Sequence, residues 1–315
     1  MSFIDQVDPE LIDALDFFPA ELMTAIGDDP PKAREMFQPL WDALADELKD
    51  SPVSIEERTI PGPDGDIGLV IYQPPTPAPR GGLLWIHGGG YIVGSGRNDP
   101  HGIGFAEHVG CTVVSVDYRL APESTYKEAI SDCFGALCWL AENAAELGVD
   151  PARIAIGGAS AGGGLTAALS LYNRDHSGPA LAYQLLIYPM IDDRHDSPSG
   201  YEITHPTVWN REVSLKAWKM YLGVEYGSDS VSPYAAAARA SDLSGLPPAL
   251  VTVGMLDLFR DEDIDYAQRL MAAGVPTELQ VYPGMYHGAE MSVMEAAVSA
   301  RMRTAYRDAL LRAIG

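Results

Sequence analysis

From residue 53 onward, short apolar runs bounded by Gly and Pro alternate with stretches of helical periodicity, and this alternation limits the fold more than any other feature. The spacing predicts strands at 54–60, 67–72, 83–87, 112–117, 153–158, 184–189, 249–254 and 278–282. The first two flank Pro61-Gly62-Pro63-Asp64-Gly65, a turn signal that predicts a hairpin. Runs such as Leu83-Leu84-Trp85-Ile86 and Leu250-Val251-Thr252-Val253 are continuously apolar, as suits strands covered on both faces of a mostly parallel sheet. Between the strands, Ile130, Cys133, Phe134, Leu137, Leu140, Ala141 and Ala144 form one apolar helical stripe, and 161–173, 261–273 and 290–313 are further helices. The expected class is therefore α/β, an eight-stranded doubly wound sheet with helices on both faces. In such sheets ligands bind beyond the carboxyl ends of the strands.

Two segments stand outside this pattern. Residues 1–52 read as an N-terminal helical segment with Met36, Phe37, Leu40, Trp41, Leu44 and Leu48 on one face and Pro39 placed to kink it. The domain at 53–315 carries an insertion at about 192–232 that contains Tyr201, Trp209, Trp218, Tyr221 and Tyr226. Together the two segments are expected to form a helical cap over the site; the alternative is an insertion that packs only against itself.

Composition removes several function classes. A formal charge of −23 opposes nucleic acid or anionic lipid as the main partner. No apolar run reaches bilayer length, and Met1-Ser2-Phe3-Ile4-Asp5 lacks the basic-then-apolar order of a secretory signal, so the expected location is cytoplasmic with no membrane partner. Cys111, Cys133 and Cys138 show neither a C-x-x-C pair nor metal-ligand spacing, and are expected to be reduced and packed.

The chemistry is concentrated in a few short stretches. Gly158-Ala159-Ser160-Ala161-Gly162 is G-x-S-x-G between a predicted strand and a small-residue helix, the context in which a serine is held up on a strained turn. The amide of Ala161, at the helix start, would face negative charge developing beside Ser160. His87-Gly88-Gly89-Gly90 ends the strand 83–87, where glycines let amides approach a ligand oxygen closely. Neither a P-loop nor a dinucleotide fingerprint is present, which disfavours a nucleotide-binding enzyme. His87 reads as a residue that orients this loop.

A serine hydroxyl needs a base, itself oriented by a third group. Asp257 lies just past the strand 249–254, where a loop carboxylate can reach the site, whereas Asp261, Glu262 and Asp263 read as capping and dipole residues of the next helix. His287, after the strand 278–282, is the one histidine downstream of Asp257. His101, His108, His176, His195 and His205 form no chelating pair, so no metal is expected.

In this combination the chain resembles the hormone-sensitive-lipase-like family of α/β hydrolases over roughly residues 54–313. The resemblance rests on His87-Gly88-Gly89-Gly90, Asp117-Tyr118-Arg119-Leu120-Ala121-Pro122-Glu123, Ser160-Ala161-Gly162-Gly163, Asp257 with Arg260-Asp261-Glu262, and His287-Gly288. It implies an α/β-hydrolase fold with a cap, a catalytic triad of Ser160, Asp257 and His287, and an oxyanion hole from the amide of Ala161 and two of Gly88, Gly89 and Gly90, with Gly89 and Gly90 favoured. It also implies that Arg119 and Glu123 pair beside the site, and that the last strands can pair in a homodimer. The sequence departs from the family pattern at Ala159, where Asp is common, at Leu258, where Pro is usual, and at Lys127, also a usual Pro.

The expected function is carboxylesterase action on small-molecule esters with short to medium acyl chains, through an acyl-enzyme and without a cofactor. Nothing in the sequence supplies the amphipathic, basic lid of an interfacial lipase. Amide, formamide or lactone hydrolysis by the same triad is the alternative reaction. A non-catalytic ligand-binding protein on the same scaffold is the alternative class.

Overall fold

Pro61 to Gly65 reverses the chain as a hairpin between β1 (Ser54–Gly62) and β2 (Gly65–Gln73), with Gly62 opposite Gly65. The computed structural model of the protein describes residues 2–15, 18–48, 50–97 and 99–315, with backbone alone at 40–42 and 44–48. Beyond the hairpin lie β3 (Arg80–Ile86), β4 (Thr112–Asp117), β5 (Val149–Ala159), β6 (Tyr183–Ile187), β7 (Ala249–Leu256) and β8 (Thr277–Tyr286). All eight expected strands are thus present, in one sheet of order β1-β2-β4-β3-β5-β6-β7-β8. Pairing is antiparallel for β1–β2 and β2–β4 and parallel from β4 through β8. The central strands are buried on both faces, which is why they read as unbroken apolar runs.

The helices are α1 (Ala20–Asp28), α2 (Pro30–Leu48), α3 (Pro100–Val109), α4 (Tyr126–Glu142), α5 (Ala161–Asp175), α6 (Pro198–Glu202), α7 (Arg211–Leu222), α8 (Arg260–Ala272), α9 (Ala289–Ser292) and α10 (Ala297–Ile314). Helix α4 starts on a capping box, with Thr125 and Glu128 satisfying each other's end of the first turn. Its apolar stripe buries Cys133, Leu137 and Leu140 completely. All three cysteines are free thiols.

Three expectations change in detail. Helix α2 runs through Pro39 as one helix, and the side chains of Leu40, Trp41, Leu44 and Leu48 lie outside the described residues. The helix expected over 290–313 is two, because the chain leaves helical geometry at Val293 and re-enters at Ala297, whose amide is capped by Glu10 at 2.6 Å. A cap supplied from 287 residues away in sequence leaves no local signal. The strands expected at 83–87 and 184–189 stop at Ile86 and Ile187, so His87 and Tyr188 stand beyond the sheet at its carboxyl edge.

The two outlying segments meet each other and the sheet. Helix α1 packs on α2 and on α7 of the insertion, and Asp28 pairs with Lys216 at 2.8 Å. From α2, Arg34 reaches the carbonyls of Ile92 and Ala121, both at 2.9 Å, and the Glu123 carboxylate at 2.8 Å. One guanidinium therefore ties the N-terminal segment to the loop that follows the three glycines. Among the described residues, no helix is long and apolar enough to cross a membrane.

Candidate active site

Ser160 sits between β5 and α5 at φ 58° and ψ −120°, a conformation that costs a non-glycine residue energy. The fold imposes it. Ser160 donates its amide to Ile187 O at 2.9 Å, and its carbonyl accepts from Gly164 and Met190, both at 2.9 Å. The turn also demands small neighbours: a Cβ on Gly162 would stand 1.9 Å from Ile86 O. Helix α5 begins directly after the serine, which leaves its first amides free of intrahelical partners.

Ser160 Oγ lies 2.8 Å from His287 Nε2, and His287 Nδ1 lies 2.8 Å from Asp257 Oδ2. Asp257 is fully buried and its other oxygen accepts the Phe259 amide at 3.0 Å. That bond fixes the carboxylate plane, and the carboxylate in turn fixes the imidazole with Nδ1 protonated and Nε2 turned to the serine. The imidazole is held between aromatic rings, with Tyr188 edge-on at 4.6 Å and Phe259 perpendicular at 5.1 Å.

Gly88, Gly89 and Gly90 leave β3 beside the serine; a Cβ on Gly88 would lie 3.4 Å from that of Ser160. Gly89, at φ 112°, could carry no side chain, because its Cβ would meet Val93 O at 2.1 Å. Its carbonyl accepts from the amides of Ile92 and Val93, both at 3.0 Å, which closes the loop into a tight turn. Among the described residues, the amides of Gly88, Gly89, Gly90 and Ala161 have no hydrogen-bond partner in the protein. His87 is buried, stacks on Tyr118 at 4.4 Å, and places Nδ1 2.8 Å from Gly88 O. Burial pushes its pKa down, so a neutral ring donates Nδ1–H to that carbonyl and steadies the loop.

These residues open into a cavity of about 390 Å³. Its walls are mostly apolar: Phe18, Met23, Ile26 and Phe37 come from the N-terminal segment, and Val208 and Trp209 from the insertion. Ala159 lines it as well, so a methyl stands where the resembling family commonly has a carboxylate. Tyr188 and His101 also line it, and neither was singled out from sequence. Tyr188 had one available signal, its place at the carboxyl end of a predicted strand. His101 had none, because Asp99-Pro100 marks a helix start but not what that helix packs against.

Two assignments need correction. Arg119 does not pair with Glu123; it makes a bidentate pair with Asp132 at 2.7 and 2.8 Å, and Glu123 pairs with Arg34. Asp132 is buried and therefore needs a cation, whereas Glu123 is exposed and can turn outward to α2. The acids after Asp257 are not all capping residues either. Asp261 accepts the Ser199 amide at 2.8 Å, tying α8 to the insertion. Glu262 is buried and accepts the amides of Ile191 and Asp192, both at 3.2 Å. Asp263 is fully buried and both of its carboxylate oxygens lack a partner.

Burial, with Glu262 and Asp257 nearby, holds the Asp263 pKa well above the usual carboxylate range. A raised folded-state pKa means a contribution fully present below the unfolded pKa and lost as pH rises through the folded one. Asp263→Ala is therefore expected to stabilise the protein by about 1–3 kcal/mol at neutral pH, from the removed unsatisfied group. Thermal melts should show the gain growing from pH 5 to pH 8; a loss of stability at pH 8 would show that Asp263 has a partner.

Comparison with known proteins gives a consistent set. A family model described as alpha/beta hydrolase fold matches residues 83–291. The chain is 40% identical over 290 residues to the carboxylesterase NlhH of Mycobacterium tuberculosis, covering 90% of this chain and 88% of that one. An arylesterase of Saccharolobus solfataricus is 37% identical over 248 residues, covering 78% of this chain and 80% of the relative. Among solved structures, a bacterial heroin esterase superposes with a TM-score of 0.93 at 40% identity, covering 98% of both chains.

Proposed function

The chain belongs to the hormone-sensitive-lipase-like family of α/β hydrolases and is a serine hydrolase, and on that premise we propose that it is a carboxylesterase acting on short to medium acyl chains through Ser160, His287 and Asp257. The observation that carries this reading is the unbroken relay from Ser160 Oγ through His287 to Asp257, opening into an apolar cavity. Ser160 Oγ attacks the ester carbonyl carbon while its proton passes to His287 Nε2. The carbonyl oxygen becomes an oxyanion, stabilised by the amide of Ala161 and by those of Gly89 and Gly90, with Gly88 as the alternative donor. Collapse of this intermediate breaks the bond to the alcohol oxygen, which takes the proton from His287 Nε2. Water then attacks the acyl-enzyme with His287 again as base, releasing the acid and restoring Ser160. Asp257 holds the imidazole tautomer throughout and stabilises the imidazolium.

The N-terminal segment and the insertion act as a cap in this scheme, since both contribute apolar wall to the cavity. A cavity of about 390 Å³ supports small substrates. Initial rates on p-nitrophenyl esters of increasing length are expected to peak at short or medium chains and fall beyond them. Rates that rise steadily to long acyl chains would remove the size limit from the proposal. An aryl formamide turned over much faster than any aryl ester would favour the amidase alternative.

A further inference from the structure

Gly88, Gly89 and Gly90 give the loop after β3 wide conformational freedom, yet amides that stabilise an oxyanion must be aimed before the reaction begins. The sheet and its loops hold part of this stretch. Tyr91 is fully buried, its hydroxyl donates to Met190 O at 2.8 Å, and its carbonyl accepts the Ala121 amide at 2.9 Å. Further contacts come from the N-terminal segment and the insertion, and they fall on three consecutive residues. Gly90 has no side chain of its own, and the Trp209 ring lies so close that a Cβ there would stand 2.2 Å from its Cη2. The Tyr91 ring stacks on Tyr221 of α7, with centroids 3.7 Å apart and planes within 6°. The carbonyl of Ile92 accepts from Arg34 Nε of α2 at 2.9 Å.

Each of these three groups is itself held. Asn210 caps α7, accepting the amides of Glu212 and Val213 at 3.1 and 3.3 Å and donating to the carbonyls of His205 and Val208, both at 3.2 Å. That clamp fixes the backbone from which the neighbouring Trp209 ring projects. Tyr221 is buried and meets the Trp218 ring edge-on at 5.8 Å. Arg34 uses its planar fork to bridge two carbonyls, since Nη2 also donates to Ala121 O at 2.9 Å. The turn passes this grip on, because Gly89 O accepts the amides of Ile92 and Val93, so a shift of Ile92 moves the Gly89 peptide. Trp209 lines the cavity, whereas Arg34 and Tyr221 stand outside its wall and can influence the reaction only through the loop.

We propose that Arg34, Trp209 and Tyr221 are positioning residues for the oxyanion hole, so that the N-terminal segment and the insertion set the rate of the chemical steps and not only which ester fits. The proposal rests on the esterase reading and on the loop glycines as oxyanion donors. Loss of a whole donor typically costs roughly 10²- to 10³-fold in kcat, and a displaced donor forfeits part of that. Formation and hydrolysis of the acyl-enzyme both pass through an oxyanion, so kcat falls whichever step is slower.

Arg34→Met keeps an unbranched stem but loses both carbonyl bonds, and Tyr221→Leu removes the stack on Tyr91. Each should lower kcat on p-nitrophenyl acetate roughly tenfold or more with little change in KM. The second readout is inhibition by butyl trifluoromethyl ketone. Its carbonyl carbon bonds to Ser160 Oγ, the serine proton passes to His287 Nε2, and the ketone oxygen becomes an oxyanion. Its inhibition constant should rise in step with the loss in kcat, whereas that of the corresponding alcohol, which forms no such bond, should stay unchanged. Lys216→Met breaks the Asp28–Lys216 pair without touching the loop and should alter neither readout. Native kcat and ketone inhibition in either folded variant, an equal rise for ketone and alcohol, or an equal loss in Lys216→Met would overturn the proposal. Either loop variant decides alone if the other fails to fold. Failure of the esterase reading would appear elsewhere, as native protein that hydrolyses no p-nitrophenyl ester.

Discussion

Replacing Ser160 by alanine is expected to lower kcat/KM on a short-chain p-nitrophenyl ester by on the order of 10⁴- to 10⁶-fold while leaving the melting temperature nearly unchanged. The two halves of this expectation have separate causes. The strained turn is held by the amide and carbonyl of residue 160, which alanine retains, so the fold has no reason to respond. What disappears is the oxygen 2.8 Å from His287 Nε2. His287→Ala should cost about as much, and the double variant little more than either alone, because nucleophile and base act as one unit. A well-folded Ser160→Ala protein that keeps more than a few per cent of native activity would mean that another group attacks the ester.

Asp257→Asn is expected to cost on the order of 10⁴-fold in kcat, again without unfolding the protein. The asparagine oxygen can still accept the Phe259 amide, now 3.0 Å from Asp257 Oδ1. Its NH₂ group would then occupy the place of Oδ2, facing His287 Nδ1 at about the present 2.8 Å. Two N–H groups cannot face each other there, so the imidazole must move its proton to Nε2, where it can no longer receive one from Ser160. A well-folded Asp257→Asn protein that keeps near-native kcat would argue against Asp257 as the group that orients His287.

Much of this protein could be read from the residues because the relevant forces are local. Strands such as Leu83–Ile86 and Thr112–Val116 announce themselves by being apolar on both faces, and every expected strand entered the sheet. The elbow was legible for a related reason: only small residues fit where the turn and α5 meet the end of β3, and the chain supplies Gly158 and Gly162 there. Chain order then pointed to Asp257 and His287 once Ser160 was taken as the nucleophile, and the structure brings the three together.

What sequence could not reveal is which distant groups share a space. Glu262 and Asp263 look like ordinary acids of a helix start, and only the sheet and insertion packed around α8 make them buried. The partner of Arg119 was decided by the burial of Asp132, and that of Glu123 by an N-terminal helix whose Arg34 lies 89 residues away. His101 is one scattered histidine in the sequence, yet folding sets it between Asp99 and Glu290 on the wall of the cavity. Periodicity and turn chemistry act between near neighbours and so determined the sheet and the elbow. Burial and charge pairing act between residues that only the finished fold brings together, and tertiary structure alone decided the wall of the cavity.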